Sequence, residues 1–261
     1  MTLAAPQLSI VIPKYGRPEA LTACLRSIAE TVHAPYEIVC PCVASDTPTR
    51  DVLASFANLP LIEIVDDDRV GYVRATNRGF RASSGTWISH LNDDCIAMPH
   101  AIDNALRFVA PPVMREVGQV AYFHDTPVRR NIHAEITVEE IRYVVCHIRG
   151  LLFANFGMTR RDILECVGYY DERFFMYGAD PDLSLKVWHI AKMRVEACPG
   201  ALIRHLELTD ERSAVERPAA HSDNERLFKK WDLATSENAP VAEVNLLEQK
   251  MPNETTNDLK Q

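Results

Sequence analysis

The first half of the chain alternates short apolar runs with segments whose apolar residues recur at helical spacing. Short apolar runs bounded by turn residues are typical of buried strands, and apolar positions three and four apart are typical of amphipathic helices. We predict four strands in this half, at Leu8–Pro13, Tyr36–Val43, Leu61–Val65 and Thr86–Leu91. We predict helices at Arg17–Glu30 and Thr47–Phe56, and a third helix that begins near Val73.

Strands that alternate with helices in this way predict right-handed βαβ units. The expected fold class is therefore α/β, with a Rossmann-like, doubly wound and mostly parallel sheet flanked by helices. In such sheets, ligands bind in the crevice outside the carboxyl ends of the strands. Polar residues that follow the predicted strands are the first candidates for a functional site.

The regular alternation ends after a predicted helix at Met98–Val109 and the Pro111-Pro112 pair that follows it. The pattern then predicts a smaller mixed sheet, while residues 127–140 are too polar to assign and residues 151–157 form an apolar run. The expected strands are Gln119–His124, Arg142–Ile148, Val195–Ala197 and Ala201–Arg204, and the expected helices are Thr159–Val167 and Asp182–Ile190.

We predict one domain over residues 1–231, made of an 8–110 half and a 111–231 half. Residues 232–261 are polar and rich in Pro and Asn, which predicts a loosely packed or disordered tail.

Composition and charge narrow the function classes. The chain has 47% hydrophobic and 25% charged residues, which is ordinary for a globular protein. Its formal net charge of −8 argues against a protein that coats nucleic acid, because such binding depends on Lys and Arg surfaces. Seven scattered cysteines without a CxxC pair predict mostly buried thiols in a reducing compartment and give no zinc signature.

The chain has neither a signal-peptide pattern at its start nor an apolar run of membrane-spanning length. We therefore expect a cytoplasmic protein. Any membrane contact would be peripheral, through a partner or a surface patch.

The segment from Gly71 to Asp94, GYVRATNRGFRASSGTWISHLNDD, ends in an Asn and two carboxylates at the end of a predicted strand. Mg²⁺ and Mn²⁺ prefer carboxylate and phosphate oxygens, so Asp93 and Asp94 are candidates for a metal site. The alternative is a turn, since Asn and Asp side chains bond well to local backbone. Upstream, Arg74 and Asn77 could contact a diphosphate or ribose at a helix start, or lie on an exposed helix face.

Three further groups carry chemistry in this order along the chain. The segment PKYGR after the first strand offers Tyr15 for ring stacking and Lys14 or Arg17 for a phosphate, although a turn and a helix start explain it better when it is taken alone. Asp180 could act as a general base on a hydroxyl, or serve as a helix N-cap with Pro181 at the first helical position. His205 follows a short strand and could complete a metal site or be an ordinary histidine.

Together these segments resemble the family 2 glycosyltransferases, which are inverting enzymes of the GT-A fold. LSIVIPKYGRPEALTACLRSI is similar to their opening strand and helix, and RATNRGFRASSGTWISHLNDD to their donor segment and DxD-type motif. GMTRRDILECVGYYDERFFMYGADPDLSLKV is similar to their acceptor-side segment, and ALIRH to their late His motif. The four motifs occur in the family's order over roughly Leu8 to His205.

The resemblance implies a role for each matching residue. Asp94 and His205 would hold Mn²⁺ or Mg²⁺ on the donor diphosphate, and Asp180 would be the catalytic base. The nucleoside-diphosphate sugar (UDP-, GDP- or dTDP-linked) would be bordered by the remaining residues, which are Pro13, Tyr15, Arg17, Arg74, Asn77 and Asp93. The acceptor would be a hydroxyl of a glycan or a lipid-linked glycan.

The chain departs from the family pattern at three positions. Cys42 stands where the family often has a base-reading Asp, with Asp46 four residues later. Asn92 occupies the first DxD position, and Ala179 replaces the acidic neighbour of the presumed base. These departures motivate an alternative, a non-catalytic sugar-nucleotide or glycan-binding protein. A sugar-1-phosphate nucleotidyltransferase is a second rival, but KYGRPEA is a poor match for the Gly-rich, Arg-bearing loop that it would need.

Overall fold

A computed structural model of the chain describes residues 6–127, 131–208 and 219–233. Within these ranges, eleven strands belong to one connected sheet. The strands are β1 Leu8–Val11, β2 Tyr36–Val43, β3 Leu61–Asp66, β4 Trp87–His90, β5 Cys95–Ala97, β6 Val117–Asp125, β7 Ile132–Val138, β8 Ile141–Ile148, β9 Leu151–Phe153, β10 Gly157–Arg160 and β11 Arg194–His205.

Helices cover both faces of this sheet. They are α1 Pro18–Thr31, α2 Thr47–Ser55, α3 Tyr72–Ala82, α4 Ala101–Val109, α5 Arg161–Val167, α6 Ala179–His189 and α7 Ala219–Lys230, with a 3₁₀ turn at Pro112–Glu116. No helix in the described ranges combines the length and the apolar character that crossing a bilayer requires.

The order of the main strands is β3-β2-β1-β4-β10-β6-β11-β5. The first four run parallel to one another, and β10 lies antiparallel between β4 and β6. The β7-β8-β9 meander branches from β6, with which β8 pairs. The carboxyl ends of β1 to β4 therefore lie at one edge of the sheet. The meander continues the sheet from β6.

The central strands are apolar on both faces because each face packs against helices. Leu8 and Ile10 of β1 lie in one core layer with α1, α2 and α4. Val11 lies in the opposite layer with α3, α5, α6 and α7. At Gly79, α3 approaches β1 so closely that a Cβ atom would collide with Val11, which holds the start of α3 at the carboxyl edge.

The expected α/β class and the four parallel strands are confirmed, with strand and helix ends from β1 to β4 within two residues of their predicted positions. The predicted thiols are also confirmed, since all seven cysteines are free and all except Cys166 are buried. The smaller mixed sheet that the sequence predicts is not a separate sheet, because β6, β10 and β11 continue the sheet that β1 to β4 form.

Beyond β4, several predictions were wrong or incomplete. The two short strands near His205 are one strand, β11, with a register shift between Cys198 and Leu202 around Pro199-Gly200. Residues Thr159 and Arg160 extend β10 instead of starting a helix, and β5 was not predicted, so that α4 begins only at Ala101. The unassigned polar stretch contains β7, and the apolar 151–157 run is divided between β9 and β10. Beyond Leu233, the predicted tail lies outside the described residues.

The β7-β8 hairpin gives a test of backbone strain. Val138 pairs with Ile141, and the two turn residues Glu139 and Glu140 have φ values of 49° and 65°. This left-handed conformation costs an L-residue about 1–2 kcal/mol, and Asn-Gly suits it best. We expect Glu139→Asn combined with Glu140→Gly to raise the free energy of unfolding in urea by about 1 kcal/mol.

The matched control changes both residues to Gln, which removes the same charges without favouring the left-handed backbone. It should leave the unfolding free energy close to that of the wild type. If the free energy of unfolding rises equally in both double variants, the effect is due to charge, and the proposed backbone strain at Glu139 and Glu140 is contradicted.

Candidate active site

A cavity of about 910 Å³ lies along the carboxyl ends of β1 to β4 and is closed on its far side by α6, α7 and the β8-β9 turn. Polar groups from distant parts of the chain converge on it. Seven of the nine residues predicted from the sequence line it, namely Pro13, Tyr15, Arg17, Asp93, Asp94, Asp180 and His205. Arg74 and Asn77 are not among the lining residues.

Asp94 is the centre of one wall. Its carboxylate is 4% exposed, with Arg17 Nη1 2.7 Å from Oδ2 and His205 Nε2 3.3 Å from Oδ1. Arg17 also donates to the carbonyl of Leu208 at 2.7 Å. Burial raises the pKa of Asp94, but hydrogen bonding and charge from His205, together with the charge of Arg17, outweigh it and hold the pKa below its usual range. Asp94 is therefore a carboxylate at neutral pH.

The donor atoms at this wall fit a divalent cation. Asp94 Oδ1 is buried, and the imidazole of His205 lies 3.3 Å from it. Asp93 lies beside it, 3.9 Å from Arg17 Nη1. Cys95 Sγ is close enough to join the group, but burial raises the pKa of this thiol well above its usual value. A neutral thiol is a poor ligand, so Asp94 and His205 are the stronger candidates.

Tyr15 and Arg69 form a flat, charged surface at the next part of the cavity. The Arg69 guanidinium lies 4.7 Å from the centroid of the Tyr15 ring. Beyond them, Cys42 lines the cavity and its thiol donates to Glu63 Oε1 at 3.1 Å. Burial raises the pKa of the Cys42 thiol to about 12, so it is neutral. Asp46 accepts the Gly16 N–H at 2.9 Å and is absent from the lining residues.

Arg74 and Asn77 lie outside the cavity, where they contact the chain that leads to α6. Asn77 is fully buried, and its amide group bonds to the backbone carbonyl and N–H of Tyr170, both at 2.9 Å. The Arg74 side chain is 61% exposed, with Nε 3.7 Å from Glu172 Oε2. The Asn77 amide is thus bonded to the backbone of Tyr170, and neither side chain lines the cavity.

Asp180 reaches the cavity from the start of α6. The Tyr170 hydroxyl donates to Asp180 Oδ1 at 2.5 Å, and His90 Nε2 lies 3.8 Å from the same oxygen. Burial raises the pKa of Asp180 to about 7, although the Tyr170 hydrogen bond lowers it. Burial also lowers the pKa of His90 to about 4, so this imidazole is neutral. A carboxylate with a pKa near neutrality can accept a proton from a hydroxyl.

The start of α6 differs from its predicted form. Gly178 is the N-cap residue, with φ of 77°, and the helix begins at Ala179. Asp180 and Pro181 are therefore the second and third helical residues, and Asp180 makes no capping bond. Because the left-handed φ at Gly178 strains any other residue, this glycine directs the chain so that Asp180 faces the cavity.

Helix α7 fixes the start of α6 through two buried carboxylates that the sequence pattern did not reveal. Asp223 accepts the backbone N–H groups of Phe175, Met176 and Tyr177 at 2.9–3.1 Å. Asp182 accepts from Lys230 Nζ at 2.9 Å and from Trp231 Nε1 at 2.7 Å. Asp182 therefore joins α6 to α7.

Arg149 reaches the cavity from the β8-β9 turn. Ile148 pairs with Leu151, and Arg149 and Gly150 between them have φ values of 50° and 81°. The guanidinium lies 5.4 Å from the Phe228 ring centroid, and its Nε and Nη2 are buried without a partner among the described residues. An Arg in a strained turn, with unpaired donors facing a cavity, is a candidate ligand contact. No sequence signal points to Arg149, because the β8-β9 turn lies in a region without a clear pattern of apolar and polar residues.

The family model described as "Glycosyltransferase like family 2" matches residues 6–224, which is most of the chain. This chain belongs to glycosyltransferase-like family 2. Over 139 residues it is 31% identical to a validoxylamine A glucosyltransferase of Streptomyces hygroscopicus subsp. limoneus, covering 52% of this chain and 30% of that protein. The chain spans between 19% and 34% of the length of the first curated relatives that it matches.

Two solved structures of glycosyltransferases share the fold. The mannosyltransferase PcManGT from Pyrobaculum calidifontis, in complex with GDP-Man and Mn²⁺, superposes with a TM-score of 0.65 at 19% identity, covering 94% of this chain and 68% of that one. S. aureus TarS 1-349 in complex with UDP-GlcNAc gives 0.64 at 15% identity, covering 93% and 70%. The expected GT-A architecture of this family 2 chain is thereby confirmed.

The raised pKa of Asp180 predicts a pH-dependent stability. Because its pKa rises from the ordinary carboxyl value to about 7 on folding, ionisation opposes folding. Stability is thus lost as pH rises from about 4 to about 7. We expect Asp180→Asn to be more stable than the wild type by on the order of 2 kcal/mol at pH 8, with the difference vanishing near pH 4. Urea unfolding across this pH range measures it.

Asp51→Asn, at an exposed position, provides the control and should show no such pH-dependent gain. A constant difference between Asp180→Asn and the wild type from pH 4 to pH 8 would contradict the raised pKa.

Proposed function

We propose that this protein is a metal-dependent, inverting glycosyltransferase. It moves a sugar from a nucleoside-diphosphate donor to a hydroxyl of a glycan or a lipid-linked glycan. The observation that carries the proposal is that one cavity is lined both by Asp94 and His205, which follow or end strands, and by Asp180, at the start of α6. The first pair suits a cation and a diphosphate, and Asp180 suits proton removal.

The reaction needs one proton transfer and one displacement. Asp180 accepts the proton of the acceptor hydroxyl while the hydroxyl oxygen forms a bond to the anomeric carbon of the donor sugar. The bond from that carbon to the diphosphate oxygen breaks, and the nucleoside diphosphate leaves with the electron pair. Attack from the face opposite the leaving group inverts the configuration. Tyr170, which donates to Oδ1, leaves the other carboxylate oxygen for the acceptor.

Asp94 and His205 would hold the cation, and the cation would neutralise charge that develops on the departing diphosphate. Arg17 would supply a fixed positive charge on the same side, since Asp94 and Leu208 orient its guanidinium. Tyr15 and Asp93 would border the nucleotide and the sugar. The relatives support a nucleotide-sugar donor, because PcManGT was solved with GDP-Man and Mn²⁺ and TarS with UDP-GlcNAc.

Ala179 and Cys42 favour one alternative, a protein that binds sugar nucleotides or glycans without turnover. Neither residue changes the groups that surround Asp180, because the Tyr170 hydrogen bond and the neighbouring His90 are in place. The two functions differ in whether a bound donor is consumed, which is directly measurable.

The first test is a thermal-shift panel of UDP-, GDP- and dTDP-sugars with and without Mn²⁺, since a ligand that binds only the folded state raises the apparent stability. With the donor identified, Asp180→Asn should reduce transfer by about 10²–10⁴-fold, the usual contribution of a general base. The same variant should keep its Mn²⁺-dependent shift. Asp94→Asn should lose the Mn²⁺ dependence of that shift.

Product anomers are assigned by NMR, and inversion is the expected outcome. Asp51→Asn should behave as the wild type in every assay. Donor binding without turnover of any donor in the wild type would favour the non-catalytic alternative. If no nucleotide sugar shifts the transition with Mn²⁺ present, the donor site is wrongly assigned.

Arg149 tests the acceptor side of the same cavity. Asn is well suited to the left-handed turn position that Arg149 occupies, so Arg149→Asn removes the guanidinium without straining the fold. We expect this variant to keep Mn²⁺-dependent donor binding and donor hydrolysis, and to lower the ratio of transfer to hydrolysis by about tenfold. Arg149→Lys retains the charge and should recover part of the ratio. An equal fall in hydrolysis and transfer would instead assign Arg149 to the donor.

A further inference from the structure

Lys14, immediately after β1, presents a buried ammonium group to the cavity. The residue is 5% exposed and lines the cavity, and its Nζ has no hydrogen-bond partner among the described residues. Its backbone N–H bonds to the carbonyl of Pro41 at 3.2 Å, which ties it to β2. A buried charge without a partner is costly, so a ligand that accepts hydrogen bonds from this group would recover much of that cost.

The order of the strands places Lys14 away from the reaction centre. Asp94 follows β4, and β1 separates β4 from β2 and β3. Around Lys14 the cavity is lined by the ends of β2 and β3, at Cys42, Val43 and Asp66. A donor with its diphosphate at Asp94 and its sugar towards Asp180 must direct its nucleoside across β1 towards this corner. The end of β2 is two strand spacings from β4, about 10 Å, which a nucleoside can span.

The part of the cavity around Lys14 offers a ligand hydrogen-bond donors. A lysine ammonium group has three N–H donors and no acceptor. The neighbouring acidic group, Glu63, is already bonded to the Cys42 thiol at 3.1 Å and to Arg50 Nε at 2.7 Å. Of the other carboxylates in this region, Asp46 is held by Gly16 and does not line the cavity, and Asp66 lines the cavity but is paired with Arg78. The corner therefore favours a base edge that offers acceptors.

We propose that Lys14 is a specificity-determining residue that reads the oxo edge of the donor nucleobase. Guanine presents the O6 and N7 acceptors, and thymine and uracil present O4, whereas adenine and cytosine carry an amino donor at the corresponding position. Lys14 accepts the oxo bases and rejects the amino bases, because an amino group would face the ammonium group donor to donor. The inference rests on the proposed function and specifies its donor class.

Two pairs of nucleotides isolate this contact. IDP and ADP differ at position 6 of the purine, and UDP and CDP differ at position 4 of the pyrimidine, with the diphosphate unchanged. Dissociation constants measured by calorimetry with Mn²⁺ should favour IDP over ADP and UDP over CDP by about tenfold or more in the wild type. In Lys14→Met both ratios should fall close to one, while the affinity for pyrophosphate with Mn²⁺ stays unchanged.

Lys14→Met removes a buried charge and keeps the length of the side chain, so its thermal transition should equal or exceed that of the wild type. Lys14→Arg retains donors and should keep part of the preference for oxo bases. Lys192→Met, at an exposed lysine that does not line the cavity, is the matched control and should leave both ratios unchanged.

Four outcomes would overturn the inference. Unchanged ratios in Lys14→Met would mean that Lys14 does not read the base. An equal loss of all four nucleotides and of pyrophosphate would assign its ammonium group to the phosphates. If the wild type binds nucleotides without preferring the oxo bases, this inference fails while the proposed function stands. If the wild type binds neither nucleotides nor pyrophosphate, both fail.

Discussion

The site depends on the burial of one carboxylate, that of Asp94, between two cationic or polar partners. A buried carboxylate is costly unless it is paired, and Asp94 finds its partners in Arg17, at the start of α1, and His205, at the end of β11. These three residues are far apart in sequence. Their meeting ties the β1-α1 connection, the end of β4 and the end of β11 to one point, which makes this wall of the cavity a fixed surface.

The start of α6 is also fixed by buried carboxylates that have found partners. Asp223 satisfies three consecutive backbone N–H groups before α6, and Asp182 joins α6 to Lys230 and Trp231. With both carboxylates satisfied, Asp180 is left as a carboxylate whose side-chain donor is a tyrosine hydroxyl rather than a cation. Burial raises the pKa of Asp180, which the Tyr170 hydrogen bond only partly offsets, whereas His205 and Arg17 hold the pKa of Asp94 below its usual range. Two acids in one cavity thus have environments suited to different tasks.

The sequence predicted the parallel half of the fold well because β1, β2 and β4 are buried along their length and read as continuous apolar runs. The second half resisted prediction for local reasons. The strand β7 alternates exposed and half-buried positions and lacks an apolar run. In β11, Pro199-Gly200 reads as a break, yet the strand continues through a shift in register. Both features need the neighbouring strand to be known before the pairing can be recognised.

The predicted site shows the same dependence on context. Asp94, His205 and Asp180 reach the cavity because each stands at the end of a strand or the start of a helix, where direction is set by the element. Asn77 lies in the interior of α3, where the direction of a side chain depends on which face of the helix it occupies. It is four residues after Val73 and three before Phe80, both of which are buried, so helical spacing puts it on the core face. An amide on that face must bond to neighbouring backbone, and Tyr170 supplies it. The periodicity that predicted α3 therefore also contained the reason why Asn77 is not free to contact a donor.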